Sequence, residues 1–203
     1  TGSAITVNAG YHAVRMYTTL PNGTADQRTL NDTATMVFSV TGSVNTPLSE
    51  GFESAAFPPP GWGIANNSDI IAFNPVRVTN AAHSGTASVK FDNYNYQLFG
   101  KRTMLVTPQL TIPLAADSVK ITFWRAAAQY SSVNSDTLEI LFSPDCGQTY
   151  TSVYKKGGAD LKTRPNATVA EYVPSANEWV ADTVDISSLV KGRYDNIIVQ
   201  FRN

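Results

Sequence analysis

Short β-type runs separated by turn residues constrain the fold of this chain more than any other feature. Each run is rich in β-branched and aromatic residues and ends near Gly, Pro, Asn or Asp. No stretch of the sequence shows the 3.6-residue apolar period of an amphipathic helix. A single helical turn with Asp185 as its cap is predicted at residues 186–190. The pattern predicts an all-β sandwich or jelly roll. The runs lie at residues 13–20, 35–40, 119–125, 137–143, 149–154 and 196–202.

A domain boundary is predicted near residues 42–48. Residues 42–47 read Gly-Ser-Val-Asn-Thr-Pro, which is small, polar and proline-terminated, as linkers tend to be. About two strands precede this segment, and so few strands do not bury a core alone. We therefore expect residues 1–45 to be the final strands of one module and residues 46–203 to form the main domain. The alternative is that the first strands complete the main domain.

The charge balance excludes several classes of partner. The chain has 15 Lys and Arg against 16 Asp and Glu, so its net charge is −1. Nucleic-acid binding favours a basic face, and membrane-surface binding favours a polybasic cluster; neither is evident here. No apolar run reaches the roughly 18 residues that a membrane span requires. The single cysteine, Cys146, excludes an intrachain disulfide. These features predict a soluble, extracellular protein that binds no nucleic acid and does not insert into membranes.

The sequence offers little for catalysis. Its only histidines are His12 and His83, so a zinc-protease motif cannot form. Cys146 lies in a Pro-Asp-Cys-Gly turn without a basic neighbour to activate the thiol. Asp136 and Glu139 are three residues apart on a predicted strand and so face opposite sides, unlike a glycosidase pair. We therefore predict no catalytic residues.

Four motifs in order resemble the choice-of-anchor or cleaved-adhesin type of MAM-like jelly-roll domain. The first combines Glu-Gly-Phe-Glu at residues 50–53 with Phe-Pro-Pro-Pro-Gly-Trp at residues 57–62. The second, at residues 83–88, is His-Ser-Gly-Thr-Ala-Ser. The third and fourth lie at residues 104–110 and 135–150. The resemblance covers about residues 49–203, and the segment before it resembles the last hairpin of an immunoglobulin-like module.

The resemblance implies a non-catalytic module of a secreted, multidomain Bacteroidota protein. Such domains accompany gingipain-type and pappalysin-type proteases and cell-surface adhesins, and many of their parent proteins use type IX secretion. The implied role is adhesion or substrate targeting, with a glycan or a host or matrix protein as partner beside the neighbouring domains. The alternative is a structural spacer with no ligand beyond calcium. Family members continue after residues 201–203 into a last strand bearing an aspartate, which this sequence is expected to lack.

The same resemblance implies a structural calcium site. Glu53 matches the glutamate of the Gly-Phe-Glu motif, a common calcium ligand in such jelly rolls. Lys90, through its carbonyl, and Asp92 match the later ligands. Hard cations accept carboxylate and carbonyl oxygens of this kind. The alternative is that Glu53 and Asp92 are ordinary surface acids.

Aromatic residues are the candidates for ligand binding. Tyr94 and Tyr96 alternate in an Asn-rich segment, which predicts a shared face where rings could stack on a sugar. Trp62 is a third candidate, either exposed or capping the core. The alternative for the tyrosines is a strand that covers the edge of the core. Trp124 lies opposite Phe123 on its strand, so it is predicted to point outward or to lie under a loop.

Four positions resemble the acidic-hydroxyl-apolar motif for O-glycosylation of this phylum. The motif is short, and Asp-Thr pairs are also ordinary turn formers. The predicted acceptors are Thr33, Ser118, Thr137 and Thr183.

Overall fold

A computed structural model describes residues 7, 10–17, 20, 23–25, 33–40, 42–68, 70–96 and 98–203. Strands dominate these residues, and the helical segments are single turns: α1 (Gly158–Leu161), α2 (Ser187–Val190) and the 3₁₀ turns Ile71–Phe73 and Ala176–Glu178. The strands are β1 (Gly10–Tyr17), β2 (Thr33–Val40), β3 (Ser43–Asn45), β4 (Gly63–Asn66), β5 (Val76–Val78), β6 (Ser88–Lys90), β7 (Thr103–Val106), β8 (Gln109–Thr111), β9 (Lys120–Arg125), β10 (Thr137–Ser143), β11 (Thr151–Gly157), β12 (Val180–Asp185) and β13 (Ile198–Arg202).

One layer is a five-stranded sheet in the order β11-β10-β13-β7-β4. Each strand is antiparallel to its neighbours. Alternation along β10 and β13 directs Ile140, Phe142, Val199 and Phe201 into the interior, because successive side chains of a strand face opposite sides. β13, the last of the described strands, therefore lies at the centre of this layer.

The remaining strands form separate pairs, of which β9–β12 lies opposite the five-stranded sheet, while β8 joins the five-stranded side through an antiparallel bridge between Leu110 and Ile197. β9 pairs with β12 and β5 with β6, both antiparallel, whereas β3 and β8 run parallel. Ile121 and Phe123 of β9 and Val184 of β12 face the five-stranded sheet and join its apolar cluster. Phe123 meets Phe201 edge to face at a ring-centroid distance of 5.6 Å. The arrangement is an all-β sandwich, as the sequence predicted.

A second apolar cluster lies beside β4 and β7. Trp62, Ile64 and Leu105 are buried there, and Phe52 and Phe57 pack against them. The Phe52 ring centroid lies 5.7 Å from that of Trp62 and 6.3 Å from that of Phe57, in edge-to-face geometry. Such aromatic pairs add about 0.5–1.5 kcal/mol beyond the area that they bury.

The segment predicted as a linker includes β3, which hydrogen-bonds to β8. β1 and β2 form an antiparallel hairpin, and β2 lies close to β4. The division at residues 45 and 46 stays a prediction. The His12 and Thr33 side chains lie outside the described residues, as do positions 21, 22, 31 and 32.

The six predicted runs correspond to β1, β2, β9, β10, β11 and β13, and the predicted turn corresponds to α2. Asp185 accepts hydrogen bonds at Oδ1 from the backbone N–H of Ser187, at 2.9 Å, and from its hydroxyl, at 2.6 Å. The weaker strands β3 to β8 are too short to show a period in sequence. Their registers depend on partners far along the chain.

Candidate binding surface

The three aromatic residues predicted to bind a ligand are not brought together. Trp62 is 7% exposed and packs in the second apolar cluster, so it offers no platform on the surface. Tyr96 is half-buried and meets the buried Phe73 ring edge to face at 6.3 Å. Tyr94 is exposed, and its hydroxyl lies 3.4 Å from the Val169 carbonyl oxygen.

The shared face predicted for Tyr94 and Tyr96 is wrong, because this segment turns instead of continuing as a strand. Residues 93–95 form the turn. Asp92 stabilises it by accepting hydrogen bonds from the backbone N–H and the side-chain amide of Asn95, at 3.1 and 2.9 Å. Asp side chains commonly bond the backbone in this way and favour turns. The alternation of tyrosines is therefore not a strand pattern.

Glu53, the first predicted calcium ligand, binds a neighbouring loop. Its carboxylate accepts hydrogen bonds from the Thr86 backbone N–H, at 3.1 Å, and from the Thr86 hydroxyl, at 2.6 Å. These bonds lower the pKa of the Glu53 carboxyl. Gly85 has φ +68, and a Cβ there would lie 2.2 Å from Glu53 Oε1. The glycine thus permits the close approach of the carboxylate.

Lys90 and Asp92 form an ion pair with each other. Lys90 Nζ lies 3.0 Å from Asp92 Oδ2 and 2.6 Å from Glu171 Oε1. Burial opposes ionisation of Asp92, but the hydrogen bonds from Asn95 and Lys90 outweigh it and lower the pKa of the carboxyl. Within the described ranges, no group of three or more His, Cys, Asp and Glu side chains is arranged to hold a metal ion. In this arrangement the Glu53 carboxylate is bound to Thr86 and the Asp92 carboxylate to Lys90 and Asn95, and calcium binding stays a prediction.

The predicted O-glycosylation acceptors differ in their surroundings. Ser118 is exposed in the loop before β9, and Thr183 is exposed on β12. Thr137 is half-buried at the start of β10. Modification of these residues, and of Thr33, stays a prediction.

An exposed cluster of rings lies elsewhere, on β9 and the loop before β6. Trp124 is 50% exposed, and the exposed His83 ring stacks on it with centroids 3.6 Å apart and planes at 10°. Trp179 meets His83 edge to face at 6.4 Å, and its buried Nε1–H has no hydrogen-bond partner among the described residues. His83 covers one face of the Trp124 indole, so the exposed half includes the other face.

Trp124 belongs to a flat, solvent-facing side of the β9–β12 pair. The register places Trp124 beside Ala181 and Thr122 beside Thr183, and all four are exposed. Because Ala181 is small, it leaves the flank of the indole open. The next cross-strand pair on this face is Lys120 and Asp185. We call His83, Thr122, Trp124, Ala181 and Thr183 the Trp124 surface.

An ionic network fixes β9 and β12 from beneath. Asp182 receives hydrogen bonds from Arg125, from Lys156 at 2.7 Å and from the Tyr154 hydroxyl at 2.7 Å. Burial opposes ionisation of Asp182, but these bonds outweigh it and lower the pKa of its carboxyl to about 2. Arg125 also donates to the Leu161 carbonyl oxygen. The network ties the pair that carries Trp124 to β11 of the five-stranded sheet.

A broad cleft of about 2030 Å³ is lined by residues of β6 and β9 on one side and of β7 and β13 on the other. Leu105, Ile197 and Phe201 of the sandwich interior line it, together with Trp124 at its margin. Within the described chain, β6 pairs only with β5 and β9 only with β12. The volume exceeds the roughly 300–1,000 Å³ of a small-molecule pocket. The cleft is therefore a gap between layers and not a fitted pocket for a small molecule.

The cysteine, histidine and glutamate that were weighed as catalytic candidates contact other side chains. Cys146 Sγ lies 3.4 Å from Asn196 Oδ1 and 3.6 Å from Gln109 Oε1, whereas His83 contacts the tryptophan rings. Glu139 pairs with Arg202. In the described part of the chain, no helix is long and apolar enough to cross a membrane.

Sequence reasoning identified the outward option for Trp124 but missed its partner. The alternation of β9 places Trp124 opposite Phe123, and the same reasoning extends to Thr122. The stacking of His83 joins positions 41 residues apart in sequence (124 minus 83), so no local pattern shows it.

Comparisons with known proteins give a fold likeness. No family model and no curated protein matches the chain. Among solved structures, the chain is similar to the K2 cleaved adhesin domain of Lys-gingipain (Kgp), with a TM-score of 0.53 and 16% sequence identity. The match covers 77% of this chain and 90% of that domain's chain. At this identity the likeness concerns the fold, an adhesin-like β-sandwich.

Proposed function

We propose that this chain is a non-catalytic adhesion-type module of a secreted or cell-surface protein, and that it binds its ligand through the Trp124 surface. The observation that carries the proposal is the half-exposed Trp124 indole stacked on His83. A large ring held rigid at the surface offers contact area at a low entropy cost. Tryptophan is also among the residues enriched at binding hot spots.

Two further features support the proposal. The adhesin-like fold resembles that of a domain named as an adhesin, although the likeness is one of fold. The ionic network below holds β9 and β12 to β11, so Thr122, Trp124, Ala181 and Thr183 are presented on regular strands, and His83 comes from the loop before β6. Sites built on rigid strands keep their geometry better than sites on loops.

The test is solid-phase binding of the purified chain to immobilised collagen, fibronectin and mucin. We expect saturable binding to at least one of them, and we expect Trp124→Ala to weaken it by about tenfold or more, since hot-spot truncations cost roughly 2 kcal/mol or more. Tyr150→Ala is the matched control, because Tyr150 is also exposed but bonds Gln200 of the five-stranded sheet. Equal binding by wild type and Trp124→Ala would contradict the proposed surface.

The competing function is a structural spacer that binds only its neighbouring domains. A folded wild-type chain that binds none of the three ligands would favour the spacer. The exposed Trp124 surface favours the adhesion module instead, because a spacer does not need a preorganised aromatic ring on its outer face.

A further inference from the structure

We infer that the ligand of the Trp124 surface is an uncharged carbohydrate chain, laid along the outer face of β9 and β12. The inference rests on the proposed function and names its ligand class. It follows from three properties of this face: its shape, its charge and its hydrogen-bonding groups.

The shape of the face suits an extended chain. Regular antiparallel pairing from Lys120 to Arg125 makes a continuous strip, and His83, on the loop before β6, stacks on Trp124 at one end of the outward-facing row. Side chains on one face of a strand repeat every ~7 Å, given a rise of ~3.4 Å per residue. Trp124, Thr122 and Lys120 therefore form a row of ~14 Å along β9. A short oligosaccharide has this extended form.

The charge of the face suits a neutral ligand. Lys120 and Asp185 are opposite each other in the register and carry opposite charges. The other two pairs on this face, Thr122 with Thr183 and Trp124 with Ala181, are uncharged. Asp185 is further engaged by the Ser187 hydroxyl and backbone N–H. A phosphorylated or sulfated ligand would find no cluster of Arg or Lys on the strip, and such clusters are what recognise anions.

The chemical groups suit a ligand with both C–H faces and hydroxyls. The free face of Trp124 can pack against the C–H groups of a sugar ring, and Ala181 beside it leaves room for the ring. Thr122 and Thr183 form the next cross-strand pair, and each hydroxyl both donates and accepts hydrogen bonds. An apolar peptide would leave these hydroxyls unpaired, whereas sugar hydroxyls can pair with them.

His83 acts as a positioning residue in this arrangement. It does not lie on β9 or β12 but stacks on the indole at 3.6 Å and fixes its orientation. His83→Phe keeps a flat ring against Trp124 and should keep binding within about threefold, since the aromatic pair is retained. His83→Ala frees the indole and should weaken binding more than His83→Phe does.

The experiment is affinity gel electrophoresis and titration calorimetry of the whole chain against a broad panel of neutral polysaccharides, with heparin as the acidic comparison. We expect a neutral polysaccharide to bind in preference to heparin. We expect Trp124→Ala to weaken that binding about tenfold or more. Thr122→Ala with Thr183→Ala should weaken it roughly ten- to thirtyfold by removing two hydrogen bonds, and Tyr150→Ala should leave it unchanged.

The outcomes separate this inference from the proposed function. Binding to collagen, fibronectin or mucin that depends on Trp124, with no neutral polysaccharide bound, would overturn the carbohydrate and leave the proposed function standing. Preference for heparin, or neutral-polysaccharide binding that Trp124→Ala does not weaken, would also overturn the inference. Mucin binding that depends on Trp124 would support it when a neutral polysaccharide also binds and the mucin signal persists after removal of sialic acid but disappears after periodate oxidation of the remaining sugars.

Discussion

The two tryptophan clusters of the molecule have similar rings and opposite exposure. Trp62 packs with Phe52 and Phe57 at the edge of the core, while Trp124 packs with His83 on the outside of β9. Trp62 is 7% exposed and Trp124 is 50% exposed. The face and the layer that carry a tryptophan thus decide whether its ring is buried in the core or left accessible to a ligand.

The local backbone explains the difference. Trp62 follows Gly61, which has φ +80, and its N–H donates to the Pro59 carbonyl oxygen at 2.9 Å. This turn directs the indole back over Leu105 and Ile64. Trp124 lies in a regular strand, and its neighbour Phe123 points inward. Because successive side chains of a strand face opposite sides, the indole faces outward.

The largest expected contrast is in stability. Trp62→Ala should lower the free energy of unfolding by about 3–5 kcal/mol, because it removes a buried aromatic side chain and leaves a cavity. Trp124→Ala should lower it by no more than about 1.5 kcal/mol, since the ring is half-exposed and its loss removes little beyond the stack on His83. Urea unfolding followed by circular dichroism measures both. Equal losses for the two variants would break the comparison.

A second contrast is in acid sensitivity. The pKa of Asp182, below the Trp124 surface, is about 2 in the folded chain against an ordinary value of 3.8. A carboxyl with a lowered folded pKa stabilises the fold above its unfolded pKa, and this contribution is lost as the pH falls from about 4 through 2. The Asp182 contribution is about 2 kcal/mol. The members of the Trp62 cluster are apolar and carry no titratable group.

Hydrogen exchange between pH 5 and pH 2, corrected for intrinsic rates, measures this contrast. Protection of β9 and β12 amides should fall in acid more than protection of β4 and β7 amides. Asp182→Asn should abolish the difference and weaken β12 already at pH 7, because Arg125 and Lys156 lose their charged partner. Uniform loss of protection across both regions would contradict the prediction.

The smallest expected effect is the coupling between His83 and Trp124. A double-mutant cycle with His83→Ala and Trp124→Ala should give about 0.5–1.5 kcal/mol, the range for a stacked pair. The same cycle for Phe52→Ala and Leu105→Ala, within the buried cluster, should be non-additive through a shared cavity. Coupling near zero for His83 and Trp124 would mean that the stack does not hold the indole.

The sequence predicted the strands that show a regular apolar pattern. It missed the contacts that depend on partners far along the chain. Residues 119–125 alternate between apolar and polar and correspond to β9. Residues 137–143 contain a continuous apolar run and correspond to β10. The outward position of Trp124 followed from the same alternation. Trp62 could not be assigned to core or surface, because its direction depends on the turn at Gly61. Residues 93–95 were misread, because a tyrosine alternation has the same appearance in a turn and in a strand.

The central place of β13 has a consequence for how the chain folds. β13 lies between β10 and β7, and Phe201 is opposite both Ile140 and Leu105 in the register. The five-stranded sheet therefore cannot close until β13, the last described strand, is available, and its contacts join residues about a hundred positions apart in sequence (201 minus 105). Such long-range pairing slows folding, because loop closure precedes the stabilising contacts. During synthesis, the β11–β10 pair and the β7–β4 pair are therefore expected to stay apart until β13 has been made.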